Sequence, residues 1–142
     1  MREILFKAKR IDNGEWVEGC YTECNGKTFI GIDISIGIDD IFEVFCTPVI
    51  RWLEVDPETL CQFTGETDKN GKRIWESDVV WLVYDGKEHI YQIVWDNSEL
   101  DFKATNGEEN YGSNFEYLLC CDEIEVIGNI FDNPELLQEE HK

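Results

Sequence analysis

Hydrophobic and polar residues alternate in short runs along this chain, and turn residues interrupt them every few positions. Frequent turns between short runs predict an all-β protein. Ile4, Phe6 and Ala8 alternate with Leu5, Lys7 and Lys9, which predicts a strand from Ile4 to Arg10. Asp12-Asn13-Gly14 turns the chain into a second strand, Trp16 to Glu23. Asn25-Gly26 has the residues a tight hairpin needs, because both tolerate positive φ, and it leads into Thr28–Ile32. Asp33–Asp40 reads as a weak strand or an ordered loop, and Ile41–Thr47 as a strand ended by Pro48. Val49–Val55 extends the sheet. Asp56-Pro57-Glu58-Thr59 is a turn or a single helical turn, with Asp as cap and Pro at the first helical position.

Beyond that point Cys61–Thr64 is short and extended, and Asp68-Lys69-Asn70-Gly71-Lys72 is a loop. Val79–Tyr84 is almost wholly apolar, the pattern of a strand buried on both faces. Asp85-Gly86-Lys87 turns it into a hairpin with His89–Trp95. Leu100–Ala104, Tyr117–Cys121 and Ile124–Asn129 are the remaining predicted strands, with a turn at Asn106-Gly107. Asn133 is placed to cap a short helix over Pro134–Glu140. No repeat and no low-complexity segment interrupts this order.

Composition narrows the functions available. With 142 residues, 42% of them hydrophobic, the chain is long enough for one domain or two small lobes. The balance of 12 Lys+Arg against 31 Asp+Glu gives a net charge of −19. Such a chain meets a nucleic-acid backbone or an anionic membrane with like charge, so neither is an expected partner. No apolar run approaches the ~18 residues of a membrane span. The opening Met1–Lys7 lacks a signal peptide's apolar region, so the cytoplasm is the expected compartment. The acidity is uneven. Residues 1–60 carry 6 basic and 12 acidic side chains, and residues 61–142 carry 6 and 19. Past Arg73 only Lys87, Lys103 and Lys142 are basic, against 17 acids.

Candidate chemistry is sparse. The six cysteines are Cys20, Cys24, Cys46, Cys61, Cys120 and Cys121. Cys20 and Cys24 share a predicted strand, where four residues span roughly 13 Å. Two thiolates on one zinc lie within about 4 Å, so only a bend near Asn25 would bring these together. Adjacent Cys120 and Cys121 point to opposite faces if extended. Reduced thiols are the expected state. His89 and His141 are the two histidines, and Ser35, Ser77, Ser98 and Ser113 sit in no nucleophile-elbow motif. No phosphate-cradling glycine motif occurs. Asp33-x-Ser35-x-Gly37-x-Asp39 faintly matches a calcium loop, but Ile38 and Val44 stand where Gly and Glu are needed. Asp68-x-Asn70-x-Lys72 places a cation where an oxygen ligand belongs. No catalytic residue, metal or cofactor is expected.

From Val55 through Gly65 the chain reads Val-Asp-Pro-Glu-Thr-Leu-Cys-Gln-Phe-Thr-Gly, and from Asp68 to Val80 Asp-Lys-Asn-Gly-Lys-Arg-Ile-Trp-Glu-Ser-Asp-Val-Val. Together with the opening Met1–Ala8 and the close Ile124–Leu137, this resembles the YopX family of phage and prophage proteins. The resemblance spans nearly the whole chain. It implies an all-β N-terminal lobe (1–58), a C-terminal SH3-like β-barrel (59–133) and a short helical tail (134–142). It supplies no catalytic residues. Ser77 stands where the family pattern has Gly, which suggests that positive φ is not required there.

Gln62, Thr64, Asp68, Asn70, Glu76 and Asp78, with Gly71, read as a polar loop between two buried segments. One reading is fold specification through bonds to loop backbone. The other is a recognition loop on a rigid scaffold. The expected function is a non-enzymatic phage or prophage accessory protein that self-associates, or that docks on a basic host or phage protein. The alternative is a DNA mimic that inhibits a host nuclease or repressor. An enzyme using clustered acids ranks last.

Overall fold

The structure, a computed structural model, describes residues 4–33, 50–106 and 115–140. Over these residues it is almost entirely β. The strands are β1 (Phe6–Lys9), β2 (Trp16–Cys24), β3 (Lys27–Asp33), β4 (Ile50–Val55), β5 (Cys61–Thr67), β6 (Arg73–Trp75), β7 (Asp78–Tyr84), β8 (Lys87–Asp96), β9 (Asp101–Thr105), β10 (Phe115–Tyr117) and β11 (Glu123–Asn129). One α-helix, α1 (Glu135–Glu140), follows among the described residues. The segment expected as a weak strand or loop after Asp33, and the strand expected over Ile41–Thr47, lie outside the described residues. The chain divides into two compact units, the first running to Gln62 and the second starting at Phe63.

In the first unit β1 to β4 form an antiparallel meander, and β1 also pairs with Cys61 and Gln62 at the start of β5. The Asn25-Gly26 turn is built as its residues dictate, with φ of 53° and 76°. Two glycines set the shape of the meander. A Cβ on Gly19 would lie 2.0 Å from the Gly31 carbonyl oxygen, so only glycine lets β2 run this close to β3. A Cβ on Gly31 would meet the Trp52 ring at 2.8 Å, and Trp52 is its cross-strand partner. Ala8, Ile30 and Val55 form the core, with Phe6 and Tyr21 in ring contact at 5.2 Å beside it. The Asp56-Pro57-Glu58-Thr59 stretch is a 3-10 turn over Pro57–Thr59. The Asp56 side chain caps it through Glu58 N–H. The Thr59 hydroxyl accepts Lys9 N–H at 2.9 Å and donates to Asp56 O at 2.7 Å, which anchors the turn to β1.

In the second unit the rest of β5 pairs with β6, and β10-β9-β8-β7-β11 form an antiparallel sheet. This sheet is not closed among the described residues. Ile74, Val80, Leu82, Tyr91, Ile93, Phe102 and Ala104 make one core, with Ile124 and Val126 packed against it. The expectation that Val79–Tyr84 is buried on both faces holds only at its start: Val79, Val80 and Leu82 are buried, but Trp81 and Val83, on the same face as Val79, are half-buried, and Tyr84 is exposed.

Asn133 stands at the start of α1, where its carbonyl accepts Leu136 N–H at 3.2 Å, and its Oδ1 accepts Asn129 N–H at 3.3 Å at the end of β11. Two local expectations are corrected. Tyr117–Cys121 is not a strand, because the pairing with β9 ends at Tyr117 and Leu118–Cys120 forms a 3-10 turn. Ser77 does adopt positive φ, at 73°, in the left-handed region that favours glycine. Two long-range bonds hold it there: its N–H donates to Ile93 O at 2.8 Å, and its carbonyl accepts Ile130 N–H at 3.0 Å.

Candidate functional site

The polar stretch singled out in the sequence lies at the start of the second unit, apart from Gln62, which pairs with Phe6 at the β1–β5 edge. Thr64 is buried, and its hydroxyl donates to Ile74 O at 2.7 Å while accepting Glu66 N–H at 3.2 Å. These bonds fix the irregular register between β5 and β6, where Gly65 has φ 92°. Asp68 is 7% exposed. Its Oδ1 accepts the N–H groups of Asn70 and Lys72, each at 2.9 Å, and its Oδ2 accepts Val126 N–H at 3.0 Å. Burial pushes the Asp68 pKa up, but the N–H groups of Val126, Lys72 and Asn70 outweigh it and hold the carboxyl below its ordinary range. Asp78 is also buried and accepts Trp75 N–H at 2.8 Å. Thr64, Asp68 and Asp78 thus bond to main chain, and Glu76 is half-buried. Asn70 is at the surface, where its amide donates to Glu125 at 3.3 Å. Beside it Lys69 lies 4.9 Å from the centre of the Trp81 ring.

A second constellation, which sequence reasoning missed, is built on β8, β9 and β10. Lys103 is 1% exposed. Its ammonium lies 2.8 Å from Asp96 Oδ2 and 3.2 Å from Glu99 Oε1. Glu99 Oε2 also accepts the Tyr117 hydroxyl at 2.5 Å, and the Lys103 ammonium sits 5.3 Å from the centre of the Tyr117 ring. Burial works against the Lys103 charge, but the bonds to Asp96 and Glu99 hold its pKa above the ordinary lysine value. Lys103 first, and then Ser98, hold the Asp96 carboxyl well below the usual carboxylate range. Glu99 is lowered by the Tyr117 hydroxyl and then by Lys103, and the same Glu99 bond raises Tyr117. The signal in the sequence was a lone lysine in a predicted strand, four residues after one acid and seven after another.

Tyr117 also walls a cleft of about 230 Å3. Thr64 and Phe102, both buried, and Leu118 line it together with Tyr117. Glu66, Asp101 and Cys120 complete the lining with two carboxylates and a thiol. Among the described residues, none that lines it is basic. In the first unit a second cleft, of about 220 Å3, lies beside Arg10, Arg51 and the exposed Trp52. Arg10 there forms a two-pronged bond with Asp12, at 2.9 and 2.6 Å.

An acidic, two-unit, almost wholly β chain with a buried lysine and an acidic cleft among its described residues defines a class of small β module. The comparisons place it more narrowly. The family model of the YopX protein matches residues 6–138, and the chain belongs to the YopX family. The crystal structure of protein EF1440 from Enterococcus faecalis is similar in fold, with TM-score 0.54 and 22% identity over 96% of this chain and 99% of that one. No curated protein matches the chain. No helix among the described residues is long and apolar enough to cross a membrane.

Proposed function

We propose that this chain is a non-enzymatic accessory module that docks on a basic protein partner through the acidic surface of its second unit. One observation carries the reading. Past Arg73 the sequence has three cations, and one of them, Lys103, is buried beneath its own pair of acids. It therefore leaves the outer surface to the carboxylates. Asp85, Glu88, Glu99, Asp101, Asp122, Glu123, Asp132 and Glu135 are all exposed there, with Lys87 the one exposed cation among the described residues after Arg73. A surface so charged steers a cationic partner and rejects nucleic acid. The YopX resemblance supports a phage or prophage origin, a bacterial cytoplasmic setting and an SH3-like arrangement for the second unit. Self-association is part of the same reading, because short sheets with outer strands pair readily with a second copy.

The test is a titration of a labelled hexa-arginine peptide with the full chain, beside a hexa-glutamate control, with light scattering on the chain alone. Saturable binding of the arginine peptide and none of the control is the expected result. Equal binding of the two peptides, or no binding of either, overturns the reading.

A further inference from the structure

The cleft beside Tyr117 is a concave part of the acidic surface, with an aromatic wall engaged at both its hydroxyl and its ring. Glu99 accepts the Tyr117 hydroxyl, and the Lys103 ammonium rests against the Tyr117 ring. Phe102, the other ring, is 5% exposed and is held edge-on by Trp95 at 4.9 Å. The rings are therefore ordered before any ligand arrives, which removes part of the entropic cost of binding. Electrostatics selects the ligand. The Lys103 ammonium behind the Tyr117 ring is engaged by Asp96 and Glu99, while Glu66 and Asp101 put two carboxylates into the cleft lining itself. Lys103 is thus already taken up, and among the described residues that line the cleft Glu66 and Asp101 meet no cation. Its size selects further, since about 230 Å3 is below the ~300 Å3 at which drug-sized ligand pockets begin. It suits a single side chain.

We propose that this cleft receives an arginine side chain of the basic partner, its guanidinium against the Tyr117 and Phe102 rings and its N–H groups donating to Glu66 and Asp101. Arginine fits better than lysine because a planar guanidinium stacks on aromatic faces and donates to two carboxylates at once. The inference rests on the docking function proposed above and names where its specificity lies.

The experiment separates the two. Hexa-arginine peptide is titrated into the full chain, into Glu66→Gln/Asp101→Asn, and into Asp85→Asn/Glu88→Gln, which removes as many charges from the β7–β8 hairpin at its turn end. In parallel, n-butylguanidinium is titrated into the unaltered chain and followed by amide NMR shifts. The expected result is a loss of about tenfold or more in peptide affinity for the cleft variant and under about threefold for the turn variant. The n-butylguanidinium shifts should centre on Thr64, Phe102, Tyr117 and Cys120. Equal weakening by both variants, with n-butylguanidinium shifts spread over the surface, overturns the cleft and leaves the acidic docking function standing. Absence of peptide binding to the unaltered chain overturns both.

Discussion

The Asp68 carboxylate accepts a 3.0 Å hydrogen bond from the backbone N–H of Val126, which ties the β5–β6 loop to β11. The adjacent Lys69 N–H donates to Ile124 O at 3.0 Å and reinforces the link. A buried carboxylate with three N–H donors leaves them all short of a partner when it is removed. Asp68→Asn keeps the shape but points an NH2 at a donor. It is expected to cost about 2–3 kcal/mol in urea denaturation. A loss under about 0.5 kcal/mol would show that the carboxylate does not anchor the loop.

The same group sets a pH dependence. Its folded pKa is depressed, so its contribution is complete above the unfolded aspartate value of about 3.9 and is lost as pH falls through that value toward the folded one. Acid denaturation of the parent chain should therefore steepen below about pH 4, and Asp68→Asn should flatten this part of the curve. Parallel curves for the two proteins would contradict the assignment.

Ser77 holds φ 73° because Ile93 and Ile130 bind its backbone on either side. A non-glycine residue in that region carries a steric cost of roughly 1–2 kcal/mol, partly offset by the extra unfolded-state freedom of glycine. Ser77→Gly should raise stability by about 0.5–1 kcal/mol, read as a higher urea midpoint with unchanged slope. A lower midpoint would mean that the serine side chain contributes more than its backbone costs.

Gly19 faces the Gly31 carbonyl so closely that a Cβ would sit 2.0 Å from the oxygen. The obstacle is backbone, so β2 and β3 must separate to admit a methyl group. Gly19→Ala is expected to cost about 3 kcal/mol or more, at or above the upper end of ordinary overpacking. Thermal unfolding checks this, and a melting temperature equal to the parent's would refute the close approach.

Lys103 is buried while Glu99 is partly exposed, so water meets some of the need when the ammonium is lost. Lys103→Ala should cost about 2–3 kcal/mol, below the ~3–5 of a fully buried pair. Lys103→Met, which refills the volume, should cost less. If Met is as damaging as Ala, the charge rather than the packing of Lys103 dominates.

Much of this architecture was legible in the residues. The two-residue alternation around Phe6 and Ala8 and the Asn25-Gly26 pair located β1, β2 and β3 because strand period and turn chemistry are local. Tyr117–Cys121 misled because its apolar run is equally compatible with a strand and with a 3-10 turn, and only the length of β9 decides where pairing stops. Ser77 misled because a serine says nothing by itself about φ, and the bonds that force it come from Ile93 and Ile130. Asp68 was legible as a polar loop residue, whereas Thr64 and Asp78, read as part of the same loop, lie in β5 and at the start of β7. That Asp68 reaches β11 depends on a contact 58 residues away. The cleft was hidden for the same reason, since Thr64, Phe102 and Tyr117 meet only in the folded unit.

The most direct test of the acidic docking surface is the affinity of the hexa-arginine peptide for the full chain across a salt series. Near 0.01 M salt the screening length is about 30 Å, and at 1 M it is about 3 Å. The account predicts an affinity that falls steeply and continuously over that range. An affinity unchanged from one end to the other would contradict it.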